Sequence, residues 1–308
     1  MSKGKGFGKV ILFGEHFVVY GLPGIASGID RSVEAEISRI DDEDIVFDDA
    51  IFGEVVSRNG DSDHVLCRLF DAMFLDLGLS GVRITISGTC IPGSGMGYSA
   101  ALCVALARAV NSCFGFGWSP GQINEIAYNG EMLSHGKPSG IDNSCATYGS
   151  LVWFEKNLSG KKDKILPFRC GKQLFLVLVS SGIRHDTKKA VELVKAGREQ
   201  DRELFDKMFK EAETVAYEAK ECLIKGDVGR VGLLMNKNQE LLRQIGVSCR
   251  ELENLIDIAL VSGALGAKLI GAGLGGSIAA LCKDKEHQEL IAGKFRDEGF
   301  NSVKVKIR

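Results

Sequence analysis

A chain of 308 residues is long enough for one large core or two fused ones, and its 45% hydrophobic and 25% charged composition excludes a disordered polymer. The formal net charge is −2, from 38 basic and 40 acidic residues, which excludes the basic footprint of a sequence-independent nucleic-acid binder. The nine cysteines stand singly, with no CxxC pair, so a disulfide scaffold and a zinc site are also excluded and a reducing, cytoplasmic compartment is expected. The apolar run before Glu15 and His16 is too short for a signal sequence. No later run is long enough to span a membrane, so no membrane partner is expected.

In chain order, residues 8–13, 17–20 and 32–40 read as extended, with Val33, Ala35 and Ile37 alternating onto one face. Gly21, Pro23 and Gly24 read as a turn between them. Strands are predicted at 45–47 and 82–87, with a helix at 63–77 between them. After a glycine-rich stretch at 92–97, Leu102, Ala105, Leu106 and Ala109 fall at helical spacing. Ser119 and Pro120 then open a second helix, whose apolar face carries Ile123, Ile126, Ala127 and Gly130 together with Glu131.

Strands follow at 151–154 and 174–180, and residues 186–243 are helix-rich with a break near Gly226 and Asp227. The last part reads as a helix at 251–261, a strand, a glycine loop at 271–276, a strand at 278–281, a helix at 285–296 and a closing strand at 302–307. The lysines at 161, 162 and 164 read as a solvated turn.

Three groups of residues carry candidate chemistry. PGSGMGYSAA, starting at Pro92, leads straight into a helix, so closely spaced backbone amides and the positive helix end converge where an anion would sit. The bland alternative is an ordinary glycine turn. No GK[ST] follows, so it is not a Walker A loop, and the ribose-binding acid of a dinucleotide fold is missing. The run at 271–276 serves equally as a tight hairpin or a ligand loop.

The third group is polar residues where apolar ones are expected. Lys9 shares a strand side with Phe7, Ile11 and Phe13, and a buried cation needs a partner. Glu131 makes the same demand from its helix, and Asp142 follows in KPSGIDN, read as a glycine-proline loop. With Ser99, these supply what magnesium-dependent phosphoryl transfer uses: a hard-cation ligand set, a base and a positive charge. Gly-Glu-His at 14–16 sits at a strand end, where His16 is either a core histidine or a substrate contact.

Taken together, GKVILFGEHFVVYG, PGSGMGYSAA and GAGLGGSIAAL resemble, in order, the three motifs of the GHMP kinase superfamily. Within it the chain is most similar to the mevalonate kinases. Phe17, Val18 and Val19 stand where galactokinases carry a sugar-holding acid, and KPSGIDN with its preceding glutamate and Thr187 in SSGIRHDTKKAVE also fit. The resemblance implies an α+β, two-lobed fold, with a mixed N-terminal lobe over 1–170 and a helix-rich α/β C-terminal lobe over 171–308.

It further implies an ATP- and Mg2+-dependent kinase acting on the small molecule mevalonate. By position, Asp142 would accept the hydroxyl proton and Lys9 would pair with it. Ser99 and Glu131 would hold Mg2+, and Glu15, His16 and Thr187 would orient mevalonate. Pro92, Gly93, Ser94, Gly95, Met96, Gly97, Tyr98, Ser99 and Gly273 would contact ATP. Tyr98, Leu274 and Ser277 depart from the usual serine, glycine and cysteine. The rival readings are a sugar kinase, a mevalonate 3-kinase, a non-catalytic ATP sensor and a nicotinamide oxidoreductase. A homodimer is an arrangement the helix faces allow.

Overall fold

The computed structural model describes residues 2–136, 138–160, 163–183 and 187–308. Lys137 of KPSGIDN, the basic pair Lys161 and Lys162, and Arg184, His185 and Asp186 before Thr187 lie outside the described residues. In chain order the elements are β1 (Ser2–Phe13), a 3-10 turn (Phe17–Tyr20), β2 (Pro23–Arg39), β3 (Ile45–Asp49), β4 (Glu54–Ser57), α1 (Val65–Phe74) and β5 (Val82–Gly88). They continue as α2 (Tyr98–Phe114), α3 (Pro120–His135), α4 (Ile141–Tyr148), β6 (Leu151–Glu155), β7 (Lys164–Phe168), β8 (Leu174–Ser180), α5 (Thr187–Gln200), α6 (Arg202–Lys225) and α7 (Val228–Gln244). The chain closes with α8 (Arg250–Val261), β9 (Gly266–Ile270), β10 (Ser277–Cys282), α9 (Lys285–Asp297) and β11 (Ser302–Ile307).

The chain divides into two compact units, Met1–Lys9 with Asp30–Gly149, and Val10–Ile29 with Ser150–Arg308. Neither is one continuous run, because β1 and β2 each pass from one unit into the other.

In the first unit β5 lies between β3, to which it runs parallel, and the second half of β2, to which it runs antiparallel. The expected alternation holds, since Val33, Ala35 and Ile37 of β2 are all buried. Helices α1 to α4 pack on one another, with α2 against α3 and α4. Ten residues of α2 are buried, so this helix is enclosed nearly all round. The start of β1 rests on it: a Cβ at Gly6 would lie 1.9 Å from the Ala101 carbonyl oxygen, a contact only glycine permits. That close approach makes the glycine face of β1 its buried side, and the face carrying Phe7, Lys9 and Ile11 is half-buried. The strand period therefore places Lys9 with Phe7 and Ile11 as expected, on the less buried of the two sides.

In the second unit the first half of β2 pairs with β6, and β6 with β7. A four-stranded antiparallel sheet runs β11-β8-β10-β9, with α7 and α8 against β9 and α9 against β8.

Four local expectations are corrected. Phe17–Tyr20 is a 3-10 turn and not a strand, because left-handed residues bound it, Gly14 at φ 96, His16 at φ 64 and Gly21 at φ 84, while the Val18 N–H donates to the Gly14 carbonyl. Pro23 and Gly24 belong to β2, where Gly24 faces Phe154 of β6, so the turn ends before them. Asp142 stands in the first turn of α4 and not in a loop, because left-handed Gly140 opens a helix of only 8 residues whose polar start hides its periodicity. The helical stretch breaks at Asp201 as well as at Gly226, with Asp201 capping α6 by accepting from the Leu204 N–H.

Candidate active site

In the first unit, β1 delivers Lys9 to the end of the glycine loop. The Lys9 N–H donates to the Met96 carbonyl at 2.7 Å, and its Nζ reaches the Gly95 carbonyl at 3.4 Å. The same Nζ lies 3.4 Å from Asp142 Oδ2. Gly97 completes the seat: it takes φ 70, and a Cβ there would come within 2.9 Å of Lys9 Cγ. The loop therefore presses on the aliphatic stem of the lysine whose head meets the aspartate.

Gly97 also starts α2 without a side-chain cap. Its first-turn amides are thus directed out of the helix end, where backbone donors and the helix dipole favour an anion. One residue into α2, Ser99 Oγ donates to Glu131 Oε1 and lies 3.4 Å from Ser134 Oγ. Glu131 comes from the inner face of α3 and is only 2% exposed. This helix is set by a capping box between Ser119 and Gln122, with Pro120 in its first turn. A hydroxyl and a carboxylate are thereby held in contact, both hard oxygen donors of the type magnesium takes.

Tyr98 stacks edge-on against Phe52, and burial pushes its phenol well above the usual range. Cys90 beside the loop is raised to about 11 by burial, so it is an inert thiol.

In the second unit, Glu15 and His16 follow β1 in the tight turn. His16 Nε2 lies 2.7 Å from the Ala272 carbonyl of the third glycine loop, and burial lowers the ring's pKa, with that carbonyl opposing. Glu15 is 3% exposed. Its Oε1 accepts from Lys268 Nζ, and its Oε2 lies 3.5 Å from Asn238 Nδ2. Lys268 is wholly buried in the middle of β9 and donates also to the Leu269 carbonyl at 2.6 Å. Burial lowers its pKa and the Glu15 carboxylate opposes.

Sequence reasoning missed Lys268 and Asn238. The argument that singled out Lys9, a cation set among strand residues, applies equally to Lys268 in GAKLI. Thr187 opens α5 with its side chain exposed and makes no hydrogen bond to the Glu15–His16 turn among the described residues. The third loop keeps its left-handed path despite the leucine: Leu274 takes φ 53, and its N–H donates to the Val247 carbonyl at 2.8 Å.

A glycine loop at a helix start, backed by a lysine–aspartate pair and a serine–glutamate pair, is the apparatus of a small-molecule kinase. The family of GHMP kinases N terminal domains matches residues 64–150, and that of GHMP kinases C terminal domains matches 219–301. The chain belongs to the GHMP kinases. Among its relatives, the mevalonate kinase of Pyrococcus furiosus is 33% identical, over 97% of this chain and 94% of its own length. That of Thermococcus gammatolerans is 33% identical, over 92% and 90%. The crystal structure of L. major mevalonate kinase in complex with R-mevalonate superposes with a TM-score of 0.89 at 32% identity, covering all of this chain and 96% of that one.

Proposed function

We propose that the chain is an ATP-dependent mevalonate kinase that phosphorylates the 5-hydroxyl of (R)-mevalonate, and that its catalytic pair is Lys9 and Asp142. The observation that carries the reading is the 3.4 Å contact of that pair, with the same lysine bonded through its backbone to the glycine loop. A base for the alcohol and a seat for the phosphates are thereby fixed to one residue.

In the proposed reaction the substrate oxygen attacks the terminal phosphorus, the bond to the β-phosphate oxygen breaks, and ADP leaves. The proton of the hydroxyl passes to the Asp142 carboxylate. Lys9 holds that carboxylate in place and offsets the negative charge that gathers there. Phosphoryl transfer depends mainly on alignment and charge neutralisation, which suits a site made of amides, one cation and one acid.

The amides of Pro92 to Ser99 cradle the phosphates, and Gly273 belongs to the ATP contacts. Ser99 and Glu131 would hold Mg2+, which supplies charge neutralisation on the nucleotide when bound. Among the described residues no group of three or more His, Cys, Asp and Glu side chains is arranged for a metal, so the other ligands would be phosphate oxygens and water. Glu15, His16 and Thr187 orient the alcohol. Among the described residues no helix is long and apolar enough to cross a membrane, and the nine unpaired cysteines favour a cytoplasmic setting.

The test is ADP release from the purified protein with ATP, Mg2+ and a panel of alcohols. Turnover is expected with mevalonate, and robust turnover of a sugar with none of mevalonate would defeat the reading. Asp142→Asn is expected to lower kcat by about 10²–10⁴-fold while leaving nucleotide affinity unchanged. Unaltered turnover in that variant removes Asp142 from its role as base.

A further inference from the structure

Helix α2 carries a single charged residue, Arg108, set between Ala107 and Ala109, which are both fully buried. Burial alone moves the pKa of its guanidinium, downward, so among the described residues no acid stands near enough to compensate the charge. A half-buried cation without an acid needs its donors met in another way. Two backbone carbonyls meet them. Nη1 donates to the Lys5 carbonyl of β1 at 2.5 Å, and Nη2 donates to the Thr147 carbonyl of α4 at 2.5 Å. Thr147 lies in the last turn of α4, where carbonyls lack an intrahelical partner and a cation suits the negative end of the helix.

The elements joined by this fork are the two that carry the Lys9–Asp142 pair. Strand β1 lies directly on α2, since a Cβ at Gly4 would come 2.1 Å from the Ala105 carbonyl oxygen. Further along, Phe7, on the strand side of Lys9, rests on Gly149, the left-handed residue that ends α4; a Cβ there would come within 2.6 Å of the ring. Helix α4 is held in turn by α3, where Asn143 Nδ2 donates to the Asn124 carbonyl at 3.1 Å and to its Oδ1 at 2.8 Å. A slip of β1 by one residue would carry Lys9 about 3.3 Å along the strand and turn it to the other face. The planar guanidinium opposes such a slip, because its two nitrogens keep a fixed spacing between the carbonyls they bind.

We infer that Arg108 is a positioning residue: its fork sets β1 against the last turn of α4 and thereby holds Lys9 Nζ at the Asp142 carboxylate. This rests on the kinase reading, in which that pair is the catalytic one.

The test is a double-mutant cycle on kcat with mevalonate and ATP saturating, well below the melting temperature. Arg108→Met keeps an aliphatic stem and removes the fork. On its own it is expected to lower kcat by about 10-fold to 100-fold, the scale of a misplaced catalytic group, with KM for ATP within about twofold of wild type. In the Asp142→Asn background, where the lysine has already lost its charged partner, the same substitution is expected to change kcat by less than about twofold. An equal loss in both backgrounds, or no loss in the single variant, overturns the proposal, because the arginine then acts on stability only. Arg108→Lys keeps the charge without the fork, so its kcat should lie between those of wild type and Arg108→Met, and wild-type turnover in it also overturns the proposal. Should Arg108→Met not fold, Arg108→Lys carries the cycle.

A crystal structure of either variant needs no activity. The distance from Lys9 Nζ to Asp142 Oδ2, 3.4 Å in the native chain, is expected to open beyond about 4 Å, the limit of an ion pair. An unchanged distance overturns the proposal. Failure of wild type to phosphorylate mevalonate would sink the kinase reading instead, and the crystal structure would still decide what Arg108 does.

Discussion

Two glycines of the third loop offer a matched pair of substitutions, because they share a backbone conformation and differ in their surroundings. Gly271 takes φ 84 and has nothing within 4 Å of where a Cβ would sit. Gly273 takes φ 74, but its Cβ would lie 2.1 Å from the Val247 carbonyl oxygen, a backbone atom that no rotamer change can move. Gly271→Ala therefore carries only the left-handed cost of a side chain, about 1 kcal/mol. Gly273→Ala carries that and must also open the contact by roughly an ångström before it becomes an ordinary one. The same carbonyl accepts the Leu274 N–H at 2.8 Å, so the displacement breaks a hydrogen bond and strands its partners, for a further 1–3 kcal/mol or so.

The expected totals are about 1 kcal/mol for Gly271→Ala and about 3 kcal/mol for Gly273→Ala. At roughly 2–4 °C per kcal/mol for a chain of this size, the melting temperature should fall by about 3 °C in the first and about 10 °C in the second. Calorimetry on both variants reads this directly, and a mevalonate titration should show a raised KM in Gly273→Ala, whose loop carries the Ala272 carbonyl that holds His16. Equal losses in the two variants would refute the reasoning, since the steric contact is the only difference it invokes.

Other expectations follow from the same geometry. Ser99→Ala takes away a hard donor while leaving Glu131 in place, so the Mg2+ concentration for half-maximal rate should rise several-fold with nucleotide still bound; an unchanged Mg2+ titration would remove Ser99 from the ligand set. Burial pushes up the thiols of Cys103, Cys145 and Cys282, the last to about 12, and Cys67 and Cys90 are also buried. A disulfide reagent should therefore label the partly exposed Cys113, Cys170, Cys222 and Cys249 in the native protein, and the other five only after unfolding, as mass spectrometry would count.

Burial alone would raise the pKa of Glu253, but hydrogen bonds from Arg243, Ser248 and Gln239 outweigh it and hold the carboxylate below its usual range. A depressed folded pKa means stability that is complete above the unfolded value of about 4.3 and is lost as pH falls through the folded one. Glu253→Gln should accordingly flatten the acid limb of a stability–pH curve without steepening it near neutrality.

The long amphipathic helices and the alternating strands were legible because their periodicity spans several turns or pairs, as in α1, α2 and β2. Short elements were not. The four residues of Phe17–Tyr20 have the alternation of a strand, and only the left-handed residues around them, one of which is His16, make them a 3-10 turn. Edge strands β4 and β7 escaped because four and five residues are too few to show an alternation, and Pro167 within β7 reads against a strand.

At the site, the first unit's residues could be read as a demand for partners: a lysine in an apolar strand and a glutamate on an inner helix face. The structure meets those demands with Asp142 and Ser99. Lys268 posed the same demand unnoticed, since its partner lies 253 positions away and no short motif joins the two.

The three departures from the family pattern show where that pattern is chemical and where it is only spatial. Leu274 needs a left-handed backbone, which costs a branched residue about 1 kcal/mol, yet Gly273, Gly275 and Gly276 around it are all at positive φ and its own N–H is bonded to Val247. The loop's path is thus set by its glycines and its neighbour, and the fourth glycine is dispensable. Ser277 is the first residue of β10, facing Ile270 on one side and Ser180 on the other, a place that asks for strand geometry and not for a thiol. Tyr98 differs from both, because its phenol oxygen is buried with no hydrogen-bond partner among the described residues. Adjacent helix positions point about 100° apart, so the phenol can turn toward Phe52 while Ser99 turns to Glu131. The substitution therefore alters the wall beside the glycine loop and leaves the Ser99–Glu131 pair of oxygens, which would meet the metal, untouched.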